Sequence, residues 1–233
     1  MRLLRVLIRG WTATFRLPLL YTGTGLSAPV PAYSTLLGLI GSVAGREIQP
    51  TETRIGYEFR SEGLALDLER TKRLMMNTKT RQLRPQPERG IARRQFHVRP
   101  QLDLYLDNVA LRIAFESPQN PPCLGRSQDV AWITAVDIVD AEPAEEGIVR
   151  GTLVPFPEPN AGGIILRLPE YFNNADTGYT RRIGKLGMYQ VIRHEVPARI
   201  RRRGLVRVEG LPDQHAIYLH VLDMQGKEIA HEG

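Results

Sequence analysis

The run Leu3-Leu-Arg-Val-Leu-Ile-Arg9 alternates, with Leu4, Val6 and Ile8 on one side and Arg5 and Arg9 on the other. A two-residue period with one apolar and one charged face marks a half-buried strand. After a loop over Tyr21–Pro31, the period changes in Pro29-Val-Pro-Ala-Tyr-Ser-Thr-Leu-Leu-Gly-Leu-Ile-Gly-Ser-Val-Ala-Gly45. Ser34-Thr35 make a helix start, and Leu36, Leu39, Ile40 and Val43 recur at helical spacing. Gly38, Gly41 and Gly45 lie in the same segment, although glycine weakens a helix by roughly 1 kcal/mol per site. Close approach of another backbone, protein or RNA, would explain them. Residues 54–68 are extended again, with Ile55, Tyr57 and Phe59 alternating.

Further along, Phe96 to Phe115 alternates through Leu102, Leu104, Leu106, Leu111, Ile113 and Phe115, with Asp107-Asn108 as a turn. Val130 to Val139 is another strand. The acids Asp137, Asp140, Glu142, Glu145 and Glu146 that follow read as a solvated turn or an interface, in preference to a catalytic carboxylate pair. Five short strands are expected beyond them, at 151–156, 163–168, 187–192, 199–208 and 216–222. Strand–helix–strand followed by strands predicts an α+β protein. Its N-terminal domain, 1–147, is ferredoxin-like, with a projecting insertion at about 69–92, and 148–233 is a small β-rich region.

Composition excludes several classes. The single cysteine, Cys123, rules out an intrachain disulfide framework and reads as a reduced structural thiol. Arg5 and Arg9 interrupt the apolar N-terminus, so it lacks the continuous core of a signal peptide, and no apolar run is long enough to span a membrane. A cytoplasmic protein without membrane contact is expected. The histidines 97, 194, 215, 220 and 231 are scattered, and neither a phosphate-binding Gly-Lys-Ser/Thr loop nor a Gly-x-Ser-x-Gly turn is present. No metal or other cofactor is expected.

Charge is uneven. The chain carries a net +6, yet residues 70–99 alone hold ten cations against one acid, Glu88, so the remainder is net negative. Basicity confined to one segment indicates a nucleic-acid contact more than general solubility. Within it, Lys72, Arg73, Lys79, Arg81, Arg93 and Arg94 are candidates for phosphates. Met75 and Met76 are candidates for packing against bases, with a place in the core as the alternative. In Leu124-Gly-Arg-Ser-Gln-Asp129, Arg126 either pairs with Asp129 across a turn or joins Ser127 and Gln128 in meeting RNA. A weaker candidate is Arg181-Arg-Ile-Gly-Lys-Leu-Gly187, where Arg181, Arg182 and Lys185 flank glycines that would admit a polyanion or merely bound a turn. No aromatic pair of the kind that stacks RNA bases on a sheet is evident from the sequence.

Four segments, in order, resemble the CRISPR-associated protein 5 family of the RAMP superfamily. Trp11-Thr-Ala-Thr-Phe-Arg16 is similar to the family's A-x-F-R, and Pro29–Gly45 to its proline-led, glycine-containing first helix. Arg93-Arg-Gln-Phe-His-Val-Arg-Pro-Gln-Leu-Asp-Leu-Tyr-Leu106 resembles R-R-x-F-x-V-x-P-x-x-x-x-Y-L, and Leu124–Asp129 resembles L-G-R-S-x-D. The likeness covers most of 3–135 and little of 148–233. It implies a non-catalytic subunit of a type I Cascade complex, closest to type I-B-like and Myxan-variant members. Such a subunit caps the 5′ handle of the CRISPR RNA (crRNA) under a thumb-like hairpin, here 69–92. Its implied partners are the backbone and large subunits and, through the complex, target DNA, or transposition proteins where such modules direct RNA-guided transposition. The matched segments add Arg16 and Ser34 to the residues expected at RNA. One branch of the family cleaves precursor RNA with a Tyr, Lys and His set. Here Tyr33 and His97 are fragments of it, but Gln95, Phe96 and Val98 surround the histidine where a lysine belongs.

Overall fold

The computed structural model describes residues 1–17, 24–174 and 182–222, without the side chains of 24, 71–73 and 86–90. The described chain is mostly β-sheet with two short helices. Strand β1 (Arg2–Gly10) lies between β7 (Gln101–Leu106) and β8 (Ala131–Val149), antiparallel to both, and β4 (Ile55–Arg60) pairs with the far side of β7. The registers put Val136, Val6, Leu104 and Tyr57 in one row across the four strands. The period-2 pattern of β1 therefore sends Leu4, Val6 and Ile8 to the face covered by helix α1 (Tyr33–Ala44), whose Leu36, Leu39, Ile40 and Val43 join them in one core. Gly45 ends the helix in the left-handed conformation, φ 67°, and its N–H meets the carbonyls of the last turn.

Two further strands, β12 (Ala198–Val208) and β13 (Ile217–Tyr218), extend this sheet from the second half of β8, in the order β13-β12-β8-β1-β7-β4. Its two edges then meet: Ile55 N donates to His220 O at 3.0 Å and His220 N to Ile55 O at 2.9 Å. Gly56 permits this, because a Cβ there would lie 2.6 Å from Ile217 Cγ2. Joining the edges hides strand groups that would otherwise recruit other chains. A second sheet, β10 (Ile165–Asn173), β11 (Arg182–Ile192) and β9 (Thr152–Pro155), adds Leu153, Leu168, Tyr189 and Val191 to the main core. The third sheet is dominated by a long antiparallel pair, β5 (Gly63–Met76) and β6 (Leu83–Val98), with β2 (Thr12–Ala13) and β3 (Thr24–Gly25) on the far side of β6.

Two sequence expectations are corrected. Leu111, Ile113 and Phe115 are not on a strand: Asn108 caps a single 3-10 turn by accepting from Ala110 N at 3.1 Å, and α2 (Arg112–Glu116) follows. Leu111 and Phe115 are buried while Ile113 is exposed, so alternation in a five-residue window coincided with one helical turn. The acids Asp140 to Glu146 lie in β8 and not in a turn. The partner strand β12 answers them with Arg199 on Glu146 at 3.1 Å and Arg201 on Glu145 at 3.6 Å. Strand β8 itself runs across the 147/148 boundary. Among the described residues, no helix is long and apolar enough to cross a membrane.

Candidate nucleic-acid interface

The basic segment is the β5–β6 pair. Leu64 faces His97, Leu66 faces Gln95 and Leu68 faces Arg93, while Ala65, Asp67 and Glu69 face Phe96, Arg94 and Ala92 on the opposite side. At its base the pair is fixed to the core. Gln95 Oε1 accepts from Ser27 N at 3.1 Å. His97 is buried between the Phe15 and Phe59 rings, with Nε2 2.8 Å from Ala28 O and Nδ1 3.1 Å from Ser61 Oγ. Burial lowers its pKa against the pull of the Ala28 carbonyl.

Away from the base the pair is exposed. Lys79, Arg81, Arg84 and Arg93 reach solvent, beside exposed Leu74, Met75, Met76, Leu83 and Ile91. The two methionines are about 60% exposed, which removes the core alternative for them. Asn77 shapes the tip by accepting from Lys79 N at 2.9 Å and Thr80 N at 3.2 Å. Arg94 differs from its neighbours: it is half-buried and paired with Glu69. The side chains of Lys72 and Arg73, and residue Arg181, lie outside the described set.

The Leu124–Asp129 turn is built against the start of the chain. Leu124 O accepts from Thr14 N at 3.0 Å, and Thr12 Oγ1 donates to Asp129 Oδ1 at 2.7 Å. Gly125 sits at φ 112° with its α-carbon so close to Thr14 that a Cβ would be 1.9 Å from the Thr14 carbonyl oxygen. Of the two readings of Arg126, the structure shows the pairing: Nε and Nη2 each lie 2.9 Å from Asp129, on different oxygens. Asp129 is fully buried. Burial raises its pKa, but Arg126 and Thr12 outweigh that and hold the carboxyl below the usual range. Asp67 and Glu69 of β5 also act on Arg126, which puts the turn beside the base of the hairpin. Ser127 and Gln128 are exposed at its tip. Arg16, also exposed, lies on a backbone bridge to Ser27, which is tied to Gln95 at that base.

Other candidates fall elsewhere. Ser34 lines a groove of about 560 Å³ between α1 and the end of β10, with Gly38, Gly41, Arg46 and Asn173. Arg182 pairs in register with Asn173 at that end. Lys185 is an ion partner of buried Glu170, 3.3 Å away, which also accepts from Tyr189 Oη at 2.6 Å. The glycines beside it are required by the chain itself. A Cβ on Gly184 would be 2.0 Å from the Tyr171 ring and one on Gly187 2.5 Å from the Tyr189 ring, so the chain's own tyrosines fill that space.

Two buried networks had no sequence signal. Glu58, 5% exposed, meets Arg150 at 2.9 Å, His194 at 2.9 Å and His215 at 3.0 Å. His220 stacks on Tyr33 at 4.2 Å and lies 3.2 Å from Tyr189 Oη. Both join residues more than a hundred positions apart, which periodicity within a segment does not reach.

No protein-family model matches the chain, and no curated protein matches it in sequence. Solved structures do match. A chain of a CRISPR RNA-guided surveillance complex superposes with a TM-score of 0.52 at 16% identity, over 83% of this chain and 91% of the other. The fold is one found in CRISPR effector complexes. A chain of the Type III-B Cmr-beta complex, bound to cognate target RNA and AMPPnP, gives a TM-score of 0.54 at 14% identity, over 84% and 86%. At these identities the likeness is one of fold.

Proposed function

We propose that this chain is a non-catalytic, RNA-binding subunit of a CRISPR RNA-guided effector complex. In finer detail, it caps the 5′ handle of the guide RNA in a type I Cascade-like assembly and contacts the backbone and large subunits. The observation that carries this reading is the exposed, cation-rich β5–β6 pair, rooted in a fold shared with effector subunits. A solvated polycation of this density gains most from a polyanion that releases counterions on binding. The strand order β8-β1-β7-β4, with α1 crossing between β1 and β4, supports a ferredoxin-like core, and β5–β6 then stands as the thumb.

Burial of His97 supports the absence of ribonuclease chemistry. A general base must reach the 2′-hydroxyl and accept its proton, whereas both ring nitrogens of His97 face Ala28 and Ser61 inside the protein. The test is binding of synthetic guide RNA with and without its 5′ handle. Removing the handle is expected to weaken binding at least tenfold, and repeat-containing precursor RNA is expected to stay intact. Equal affinity for the two RNAs would refute the handle assignment, and specific cleavage would refute the non-catalytic one.

A further inference from the structure

The chain has two tryptophans, and both stand at one place on its surface. The Trp11 and Trp132 ring centroids are 5.7 Å apart with the planes at 57°, so the indoles form a corner and do not cover each other. Trp11 is 66% exposed and Trp132 41%. Trp11 follows the end of β1, and Trp132 is the second residue of β8, opposite Arg9. Large aromatic side chains left in water as a cluster mark an interaction site more often than isolated ones do.

The surroundings are cationic. The Arg99 guanidinium lies 5.8 Å from the centre of the Trp11 ring. Its backbone is left-handed, φ 46°, a conformation unfavourable for a residue with a Cβ, and it is held there by Arg99 N donating to Trp11 O at 3.0 Å. Glu62 also meets Arg99, at 3.3 Å, with both side chains exposed. Arg9 is exposed on the strand beside Trp132. The corner is continuous with the candidate RNA surface. Thr12, next to Trp11, holds Asp129 of the turn that exposes Ser127 and Gln128, and exposed Val130 links that turn to Trp132.

We propose that Trp11 and Trp132 form a stacking platform for one unpaired base of a single-stranded RNA, with Arg99 and Arg9 meeting the flanking phosphates. This rests on the RNA-binding reading above and adds a base contact to it. An indole face accepts any base, so the platform holds the strand without reading its sequence. Trp and Arg together also mark protein interfaces; exposed Arg9 and the corner's continuity with the turn beside the cationic β5–β6 pair favour single-stranded RNA as the occupant.

Because both tryptophans are in the corner, tryptophan fluorescence, excited selectively over the eight tyrosines, reports on it alone. The full chain is titrated with ten-nucleotide oligoadenylate, oligouridylate and a duplex of equal length, with labelled-RNA anisotropy followed in parallel. Saturable quenching by both single strands, and weaker quenching by the duplex, is expected. Trp11→Ala is expected to weaken single-strand binding about tenfold, while Trp11→Phe retains most of it. Binding by anisotropy with no quenching, and no effect of Trp11→Ala, overturns the platform and leaves the RNA-binding reading standing. Absence of any binding overturns both. A Trp11→Ala chain that binds RNA normally but no longer co-purifies with a protein partner overturns the platform in favour of a protein contact.

Discussion

Arg126 and Asp129 form a two-pronged ion pair across a tight turn, each of two guanidinium nitrogens 2.9 Å from a different carboxylate oxygen, with the carboxylate fully buried. The pair is unsymmetrical. Arg126 keeps a 15% exposed side chain, so it reaches water if its partner is removed, whereas Asp129 does not.

Removing the arginine is therefore expected to cost more than removing the acid. Arg126→Ala strands a buried carboxylate with only Thr12 and a backbone N–H, an arrangement that costs about 3–5 kcal/mol. Asp129→Ala should cost about half that, and the double variant much less than the sum. Chemical denaturation of the three variants checks the order. Equal losses for the two single variants would mean that Asp129 is better solvated than its burial indicates.

Gly125→Ala is expected to be about as damaging as Arg126→Ala. The substitution meets the Thr14 carbonyl at 1.9 Å and occupies a φ of 112°, so strain and overlap together cost about 3 kcal/mol or more. Gly38→Ala is the control. Nothing lies within 4 Å of a Cβ there, and the helix should gain up to about 1 kcal/mol. Thermal melts of both variants give the comparison.

Acid sensitivity should run through Glu58. Burial raises its pKa, but His215 and Arg150 outweigh that and hold the carboxyl below its ordinary value. A carboxylate with a depressed folded pKa adds stability that is complete above its unfolded value, near 4.3, and is lost as pH falls through the folded value. Glu58→Gln is expected to cost about 3 kcal/mol at neutral pH and to flatten the loss of stability below about pH 4. A denaturation series from pH 7 downward measures both, and an unchanged acid limb would assign the effect to other carboxylates.

The hairpin cations should act through phosphates. Replacing exposed Arg81, Arg84 and Arg93 together by alanine is expected to reduce the slope of log K against log salt by about 2, at roughly 0.7 per lost contact. Sequence preference should hardly change, since phosphates carry none. Binding isotherms at four or five salt concentrations are sufficient.

What the sequence discloses divides by range. Val6, Leu39 and Tyr57 are placed by the local period of their own segments, and each lies in the core. Leu111–Phe115 misleads because five residues do not separate a period of 2 from one of 3.6. Arg126 and Asp129 are three residues apart, so their pairing is open to sequence reasoning as one of two alternatives. Trp11 and Trp132 meet only because β1 and β8 are neighbours, and the Glu58 cluster gathers β4, the link between β8 and β9, and two later loops. Gly184 and Gly187 show the converse: a feature read from sequence as room for a ligand is also room for two tyrosine rings of the chain itself.

The most direct measurement is the RNA that accompanies the chain when it is purified from its host under low salt. If the chain holds the guide-RNA handle, the recovered RNAs should share one uniform 5′ end followed by many different guide sequences. The Arg81, Arg84 and Arg93 variant should recover far less of this RNA at 0.2 M salt. Recovery of no RNA, or of fragments with random 5′ ends in the same yield from both chains, would show that the hairpin does not hold a guide.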